Sequence, residues 1–161
     1  MLSLRPANAL DIPPIVLLVE QYKDQILSDY DTYSREFIIT LIERGELIAI
    51  DAFGYAVGVI WFYDRLDDLH CKISLLIRPE YLKQALREDT FSKVLELAFK
   101  QVGKVEAEPM ASQKGAIKLL RKHHFLKLCD RHKHTRKNGV KTDMQLWECK
   151  RSRYNKKRSK A

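Results

Sequence analysis

Two glutamates stand two positions apart in the segment VEAE at residues 105–108, and carboxylates are among the side chains that act as general bases in enzymes. The alternation of apolar and acidic residues predicts a short strand, in which successive side chains point to opposite faces. Glu106 and Glu108 should therefore share one face of a sheet. The pair is either a set of candidate bases or an ordinary solvated sheet face, and both interpretations stay open.

A second group of potential ligands, Cys129, His132 and His134, carries donor atoms that zinc uses. In a strand, however, residues 132 and 134 share one face while residue 129 lies on the other. The histidines also alternate with arginine and lysine, and the sequence has no matching second pair of ligands. We therefore interpret this segment as a basic exposed strand and predict no metal site.

Positive charge is concentrated in the last part of the chain. Residues 1–113 carry 12 Lys/Arg and 18 Asp/Glu, a net charge of −6, whereas residues 114–161 carry 17 and 3, a net charge of +14. Such a basic segment favours a polyanionic partner such as nucleic acid, or an anionic cofactor, and an ordinary solvated surface is the alternative. Any binding to nucleic acid should take place through phosphates and be mostly independent of sequence. The residues that we assign to this surface are Lys118, Arg121, Lys122, Arg151, Arg153, Lys156, Lys157 and Arg158.

Length and composition limit the class of protein. The 161 residues, 45% of them hydrophobic and 31% charged, are typical of one globular domain. Apolar runs are far shorter than the roughly 20 residues of a membrane-spanning helix, and the first residues lack the pattern of a secretory signal. Three cysteines without a pairing pattern predict reduced thiols. We expect a cytoplasmic protein without membrane contact.

Hydrophobic periodicity predicts the order β-α-α-β-β-β-α-β-α-β-β over residues 1–150. The fourth strand covers residues 70–77, and Asn138-Gly139 joins strands at 125–137 and 140–150 in the strongest hairpin signal of the chain. Residues 151–161 contain six positive charges and a single aromatic residue. A segment of that composition cannot bury a core, so we predict a basic C-terminal tail that is disordered unless bound.

Four local strings resemble one known family when they are taken in this order. They are residues 5–12 (RPANALDI), 54–58 (GYAVG), 116–125 (AIKLLRKHHF) and 136–143 (RKNGVKTD). They are similar to the opening strand and helix, the central hairpin, the late helix-to-strand passage and the closing hairpin of the GNAT superfamily of acetyl-CoA-dependent N-acyltransferases. The resemblance covers residues 1–150.

This resemblance implies an α/β (α+β) fold, with one mixed, twisted sheet of about seven strands and about four helices on its two faces. It implies acetyl-CoA as the substrate whose acetyl group is transferred to an amine. In the family, pantetheine pairs with backbone groups of the fourth strand, which points to Leu75, Leu76 and Ile77. Gln113 stands where relatives carry an asparagine at the start of a helix.

The resemblance also gives the acidic residues a role. Glu106 and Glu108 lie on the fifth strand, where a relative's base removes a proton from the ammonium group of the acceptor. Further candidate bases are Asp64, Asp67 and Asp68 in the loop before the fourth strand and, more weakly, His70 at its head.

The sequence departs from the family in two places. The glycine-rich loop that cradles the pyrophosphate corresponds to residues 82–87, LKQALR, with Ala85 and Arg87 in place of the glycines. A Cβ at such a position collides with an approaching phosphate, so Arg87 either blocks the site or pairs with the phosphate from outside. Leu120 replaces a tyrosine that reprotonates the cofactor thiolate, and leucine has no proton to donate. The altered loop predicts weak acetyl-CoA binding, and the two departures together predict weak or absent catalysis.

Two functions therefore stay open. The first is an N-acetyltransferase, weak or inactive, which the order of strands favours. The alternative is a non-catalytic GNAT-fold protein that binds a partner through its basic C-terminal half, which the altered loop at 82–87 favours. It would loosely resemble the GNAT-like virion-associated proteins of short-tailed phages and would lie inside a phage particle.

Overall fold

The computed structural model describes residues 1–28 and 33–160 of the chain. Seven strands form a mixed sheet with the order β1-β2-β3-β4-β5-β7-β6. The strands are β1 Ser3–Pro6, β2 Leu47–Ala52, β3 Tyr55–Leu66, β4 His70–Ile77, β5 Lys104–Ala107, β6 Leu126–Lys137 and β7 Val140–Lys150. The helices of this part of the chain are α1 Ile12–Ile26, α2 Arg35–Glu43, α3 Pro79–Arg87, α4 Thr90–Phe99, α5 Lys114–Lys122 and α6 Arg151–Arg158.

The predicted fold class is confirmed, with two more helices than the sequence predicts. The described residues divide into two compact units. The first contains residues 1–27, 33–63 and 74–94, and the second contains residues 64–73 and 95–160. β7 and α6 belong to the same unit, and the boundary after residue 150 stays a prediction.

The core of the first unit lies between two helices and the antiparallel strands β1, β2 and β3. Both helices are amphipathic, and their apolar residues meet those of the strands. The buried residues of this core are Ala7, Ile15, Leu18, Val19, Ile38, Leu41, Leu47, Ala49, Ala56, Val59, Trp61 and Leu76.

A network of charged side chains fixes the start of this unit. Arg5 donates hydrogen bonds to the two oxygens of Asp11, at 2.7 and 2.8 Å, and to Asp51, at 2.9 Å. Asp11 is buried and also accepts the backbone N–H of Asn8, which completes the capping box that the sequence predicts. The Arg5 guanidinium holds the pKa of Asp11 below its usual range.

Gly58 on β3 allows the end of β4 to approach closely. A Cβ at this position would lie 2.8 Å from the carbonyl oxygen of Leu76, 3.0 Å from Cδ1 of Ile50 and 3.1 Å from Cα of Ile77. Two of these three atoms belong to the backbone, which cannot turn away as a side chain can. Glycine is therefore required where β3 passes the last residues of β4.

In the second unit, paired residues of β4, β5 and β7 lie side by side in rows across the sheet. β5 pairs in parallel with the start of β4 and antiparallel with β7. Cys71, Val105 and Cys149 make one row, and all three are buried. Burial raises the pKa of both thiols to about 11. The rows on either side are polar, since side chains alternate between the faces of a sheet.

The hairpin predicted at Asn138-Gly139 is confirmed. Asn138 and Gly139 have φ values of 51° and 77°, as a type I′ turn requires. They join β6 and β7, whose pairing runs from Lys137 and Val140 at the turn to Leu126 and Glu148 at the far end.

The prediction of a disordered tail at 151–161 is wrong for residues 151–158, which form α6. Tyr154, the single aromatic residue of the segment, is buried with its ring centroid 5.2 Å from that of Phe99. Arg151 donates through its backbone N–H to the carbonyl of Gly103 and through its guanidinium to that of Phe99. One buried aromatic contact and these hydrogen bonds hold a helix whose composition alone predicts none.

The segment aligned with the family's loop at 82–87 is also helical, because it belongs to α3. Pro79 occupies the first turn, where its missing N–H is no loss. Most residues from 80 to 87 are strong helix formers. Gln84 and the backbone N–H of Leu2 both donate to Glu88, which follows the helix.

Candidate functional site

The end of β4 carries the residues that the resemblance assigns to pantetheine. Leu76 is buried, whereas Leu75 and Ile77 are half-buried. The parallel register of β4 with β5 runs from His70 to Lys72, and β4 itself continues to Ile77. The contact of these three residues with a cofactor stays a prediction, and the close passage of Gly58 fixes their backbone.

Ala85 and Arg87 do not offer the backbone cradle that we expected. Only the first four N–H groups of a helix lack a partner within that helix. Ala85 and Arg87 are the seventh and ninth residues of α3, so their N–H groups lie in its interior. The prediction of a loop at residues 82–87 is therefore wrong. Arg87 is exposed in the last turn, and any contact of the two residues with a cofactor stays a prediction.

Thr90 is a candidate that we missed. It begins α4 and is 4% exposed, and its Oγ1 atom is buried without a hydrogen-bond partner in the part of the chain that the structure describes. A buried hydroxyl without a partner is rare, and one at the start of a helix can donate to an anion. The sequence could not reveal this, because an N-terminal threonine usually only caps its helix.

Glu106 and Glu108 lie on one side of β5, as the alternation predicts. Val105 and Ala107 are buried on the opposite face, whereas the side chains of the two glutamates are 13% and 16% exposed. Glu106 stands in register between Lys72 of β4 and Glu148 of β7. One ammonium group and two neighbouring carboxylates therefore stand side by side across the three strands.

Both glutamates accept hydrogen bonds from basic side chains. Nζ of Lys104 lies 2.9 Å from Glu106, and Nζ of Lys72 lies 2.9 Å from Glu108. Arg131 also donates to Glu108, at 3.1 Å. The carboxylates of Glu106 and Glu148 raise the pKa of Lys104, whose strongest partner is Glu106. Both carboxylates are thus in direct contact with cationic side chains.

The other candidate bases are dispersed. Asp64 pairs with Lys72 at 3.1 Å, whereas Asp67 and Asp68 are exposed. Nδ1 of His70 is buried, and it has no hydrogen-bond partner among residues 1–28 and 33–160. His70 alternates with the buried Cys71 and therefore lies on the same face as Lys72.

Gln113 fastens a turn rather than presenting a free amide oxygen. Its Oε1 accepts the N–H of Met110 at 2.9 Å, just before α5. Leu120, at the position of the family's tyrosine, is buried. His124 has a φ of 68°, a left-handed backbone conformation that favours glycine.

The cations assigned to nucleic acid fall into two groups. Arg153, Lys156 and Lys157 line a common cavity. The others do not line it: Arg158 pairs with Glu96, Arg151 binds the Phe99 carbonyl, Arg121 lies 5.5 Å from the Trp147 ring centroid, and Lys118 and Lys122 are exposed on α5.

No group of three potential metal ligands comes together in the described residues. Cys129 and His134 are exposed, and His132 faces Asp143 at 3.5 Å. None of the helices within these residues is long and apolar enough to cross a membrane.

Solved structures of N-acetyltransferases have the same fold. The spermidine N-acetyltransferase from Vibrio cholerae, in complex with CoA and spermine, matches 96% of this chain and 98% of its own, with a TM-score of 0.81 and 15% identity. The ribosomal-protein-alanine N-acetyltransferase from Brucella melitensis matches 92% and 99%, with a TM-score of 0.79 and 15% identity.

A putative acetyltransferase from Salmonella typhimurium with acetyl-CoA matches 93% of this chain and 94% of its own, with a TM-score of 0.80 and 15% identity. The chain has the GNAT fold. No family model and no curated protein matches its sequence. The GNAT fold is thus recognised from the arrangement of strands and helices, and the sequence has diverged far from these relatives.

Proposed function

We propose that the protein transfers an acetyl group from acetyl-CoA to an amine. The observation that supports this most is the GNAT fold over nearly the whole chain, shared with N-acetyltransferases solved with CoA or acetyl-CoA. The protein's own β4 continues beyond its register with β5, and its last residues are the ones that relatives use for pantetheine. A strand end of this kind offers backbone groups to an extended ligand.

In the proposed reaction, the neutral amine attacks the carbonyl carbon of the thioester, the C–S bond breaks and CoA leaves as a thiolate. The backbone of Leu76 and Ile77 orients and polarises the thioester carbonyl. Either Glu106 or Glu108 accepts the proton of the ammonium group before attack, and the second proton that the nitrogen loses as the C–N bond forms passes to the CoA thiolate. In this chain both carboxylates already bind cationic side chains, Lys104 at Glu106, and Lys72 with Arg131 at Glu108. A protonated amine acceptor carries the same positive charge.

Acetyl-CoA binding is weak in this proposal. The glycine cradle is replaced by α3, and the first unit offers the hydroxyl of Thr90 at the start of α4 instead. A single hydroxyl donor replaces several backbone donors there, so the pyrophosphate is bound less tightly. Arg87 contributes the positive charge of its guanidinium and Gln113 the N–H donors of its amide, whereas Ala85 offers only a methyl contact.

An assay of CoA release tests the proposal. The full chain is incubated with acetyl-CoA and with spermidine or an alanine-terminated peptide, and the free thiol is measured. Acceptor-dependent release is expected, and it falls at least tenfold in Glu106→Gln or Glu108→Gln. The control is Glu20→Gln, because Glu20 is an exposed residue of α1 that pairs with Lys23. This variant keeps the wild-type rate. Equal rates in all three variants contradict the assignment of the base.

A second function is favoured by the charge distribution. The basic half, residues 114–161, binds a nucleic acid or another polyanion through phosphates. If this function stands alone, the protein is a non-catalytic, virion-associated protein of the phage type. If it accompanies catalysis, the protein is a cytoplasmic enzyme. Full-length protein without affinity for DNA or RNA at about 50 mM salt, where electrostatic binding is strong, contradicts it.

A further inference from the structure

A cavity of about 590 Å³ lies in the second unit, beside α6. The residues that line it are Leu126, Glu148, Lys150, Ser152, Arg153, Lys156, Lys157 and Lys160. Five of these eight residues are basic. Nζ of Lys104 lies 3.5 Å from the carboxylate of Glu148, so the acidic member of the lining is already compensated. We call this cavity the α6 groove.

The sequence of α6 separates its cations into two sets. Residues 153, 156, 157 and 160 have the spacing i, i+3, i+4 and i+7, which places them on one face of the helix and its C-terminal turn. Residues 151, 154 and 158 lie on a different face and dock the helix on α4, through Phe99 and Glu96. Two arginines therefore hold the helix in place, and the remaining cations line the groove.

The lysines of the groove have no acidic partner. In the described part of the chain, no carboxylate lies within salt-bridge distance of Nζ of Lys150, Lys156, Lys157 or Lys160. Arg153 is fixed by a hydrogen bond to the carbonyl of His124, at 3.2 Å. The pKa of His124 is lowered by its burial and by the positive charges of Lys157, His123 and Arg153. The field in this region is therefore strongly positive.

We propose that the α6 groove binds consecutive phosphates of a nucleic-acid strand. This inference rests on the proposed polyanion partner and not on acetyl transfer. A concave site lined by cations of one sign concentrates the field that attracts phosphate. The lining cations are placed for contacts with phosphates, which carry no information about the bases, so recognition is independent of sequence.

The test compares two variants that lose the same charge. Lys156→Gln/Lys157→Gln/Lys160→Gln removes three cations of the groove, and Lys114→Gln/Lys118→Gln/Lys122→Gln removes three exposed cations of α5. Affinity for a short fluorescent DNA duplex is measured against salt concentration. Since each phosphate contact contributes a slope of about 0.9 in log–log terms, the groove variant should lower the slope by about 2.7 and the α5 variant by less than about 1.

Each outcome decides between the proposals. Equal losses in both variants overturn the α6 groove as the site and leave a diffuse positive surface. Absence of binding of both the duplex and tripolyphosphate by the full-length protein at about 50 mM salt overturns the polyanion partner itself. Binding of tripolyphosphate without binding of the duplex assigns the groove to a small polyphosphate and overturns a nucleic-acid ligand. Both variants should keep the wild-type melting temperature, because the exchanged lysines make no ion pair within the described residues.

Discussion

Gly58→Ala tests whether β3 really passes so close to the end of β4. The added Cβ would lie 2.8 Å from the Leu76 carbonyl oxygen and 3.1 Å from Cα of Ile77, and neither backbone atom can move without shifting the strand. Overpacking of this kind costs about 1–3 kcal/mol. Each kcal/mol lowers the melting temperature of a chain of this size by about 2–4 °C. Acetyl-CoA affinity should fall as well, because Leu76 and Ile77 are its proposed partners.

Thermal unfolding followed by circular dichroism measures the effect, and calorimetry measures acetyl-CoA binding. Gly115→Ala is the matched control, since no atom lies within 4 Å of a Cβ at Gly115 and its backbone is helical. It should be neutral or stabilising by up to about 1 kcal/mol. A Gly58→Ala variant that has the melting temperature and the acetyl-CoA affinity of the wild type would refute the close approach of β3 to the end of β4.

Two further predictions concern single residues. At pH 7, iodoacetamide should modify the exposed Cys129 and spare Cys71 and Cys149, because burial raises the pKa of these two thiols to about 11. Mass spectrometry identifies the modified cysteines, and modification of Cys71 or Cys149 in the folded protein would contradict their burial. Asp11→Asn should lower the free energy of unfolding by about 2 kcal/mol at pH 7, because it leaves Arg5 partly unpaired. The folded pKa of Asp11 lies below the unfolded value of about 3.9, so urea titrations should show this difference shrinking below about pH 4, and a constant difference would argue against the ion pair.

Strands with strong local signals could be predicted closely from the sequence. The predicted bounds of β4, residues 70–77, and of β7, residues 140–150, agree with the structure. Both are limited by residues with clear conformational preferences: Pro79 stops the first, and Asn138-Gly139 starts the second. The capping box of Asn8 and Asp11, which belongs to the short 3-10 helix Ala9–Asp11 before α1, is likewise a local signal in the sequence.

The two helices that the prediction missed have different physical origins. α6 depends on a tertiary contact, the burial of Tyr154 against Phe99, which lies 55 residues earlier and cannot be read from local composition. α3 was missed because the family alignment required a loop, although the helix propensities of residues 80–87 favoured a helix. Resemblance in this case outweighed a correct local signal.

The candidate site was predictable in part. Alternation placed Glu106 and Glu108 on one face, but their pairing with Lys104, Lys72 and Arg131 depends on the register of four strands. The same holds for the α6 groove, because the sequence shows a basic tail and the structure decides which cations point together. Buried hydroxyls such as Thr90 Oγ1 leave no trace in sequence at all.

The most direct test of the proposed function is a calorimetric titration of the full chain with acetyl-CoA. The account predicts saturable, weak heat with one site per chain. It also predicts that Glu106→Gln and Glu108→Gln leave this binding unchanged, because these residues act on the acceptor, whereas Gly58→Ala weakens it. An absence of saturable heat up to about 1 mM acetyl-CoA, a limit that corresponds to about −4 kcal/mol of binding free energy, would contradict the account and leave a GNAT fold without its substrate.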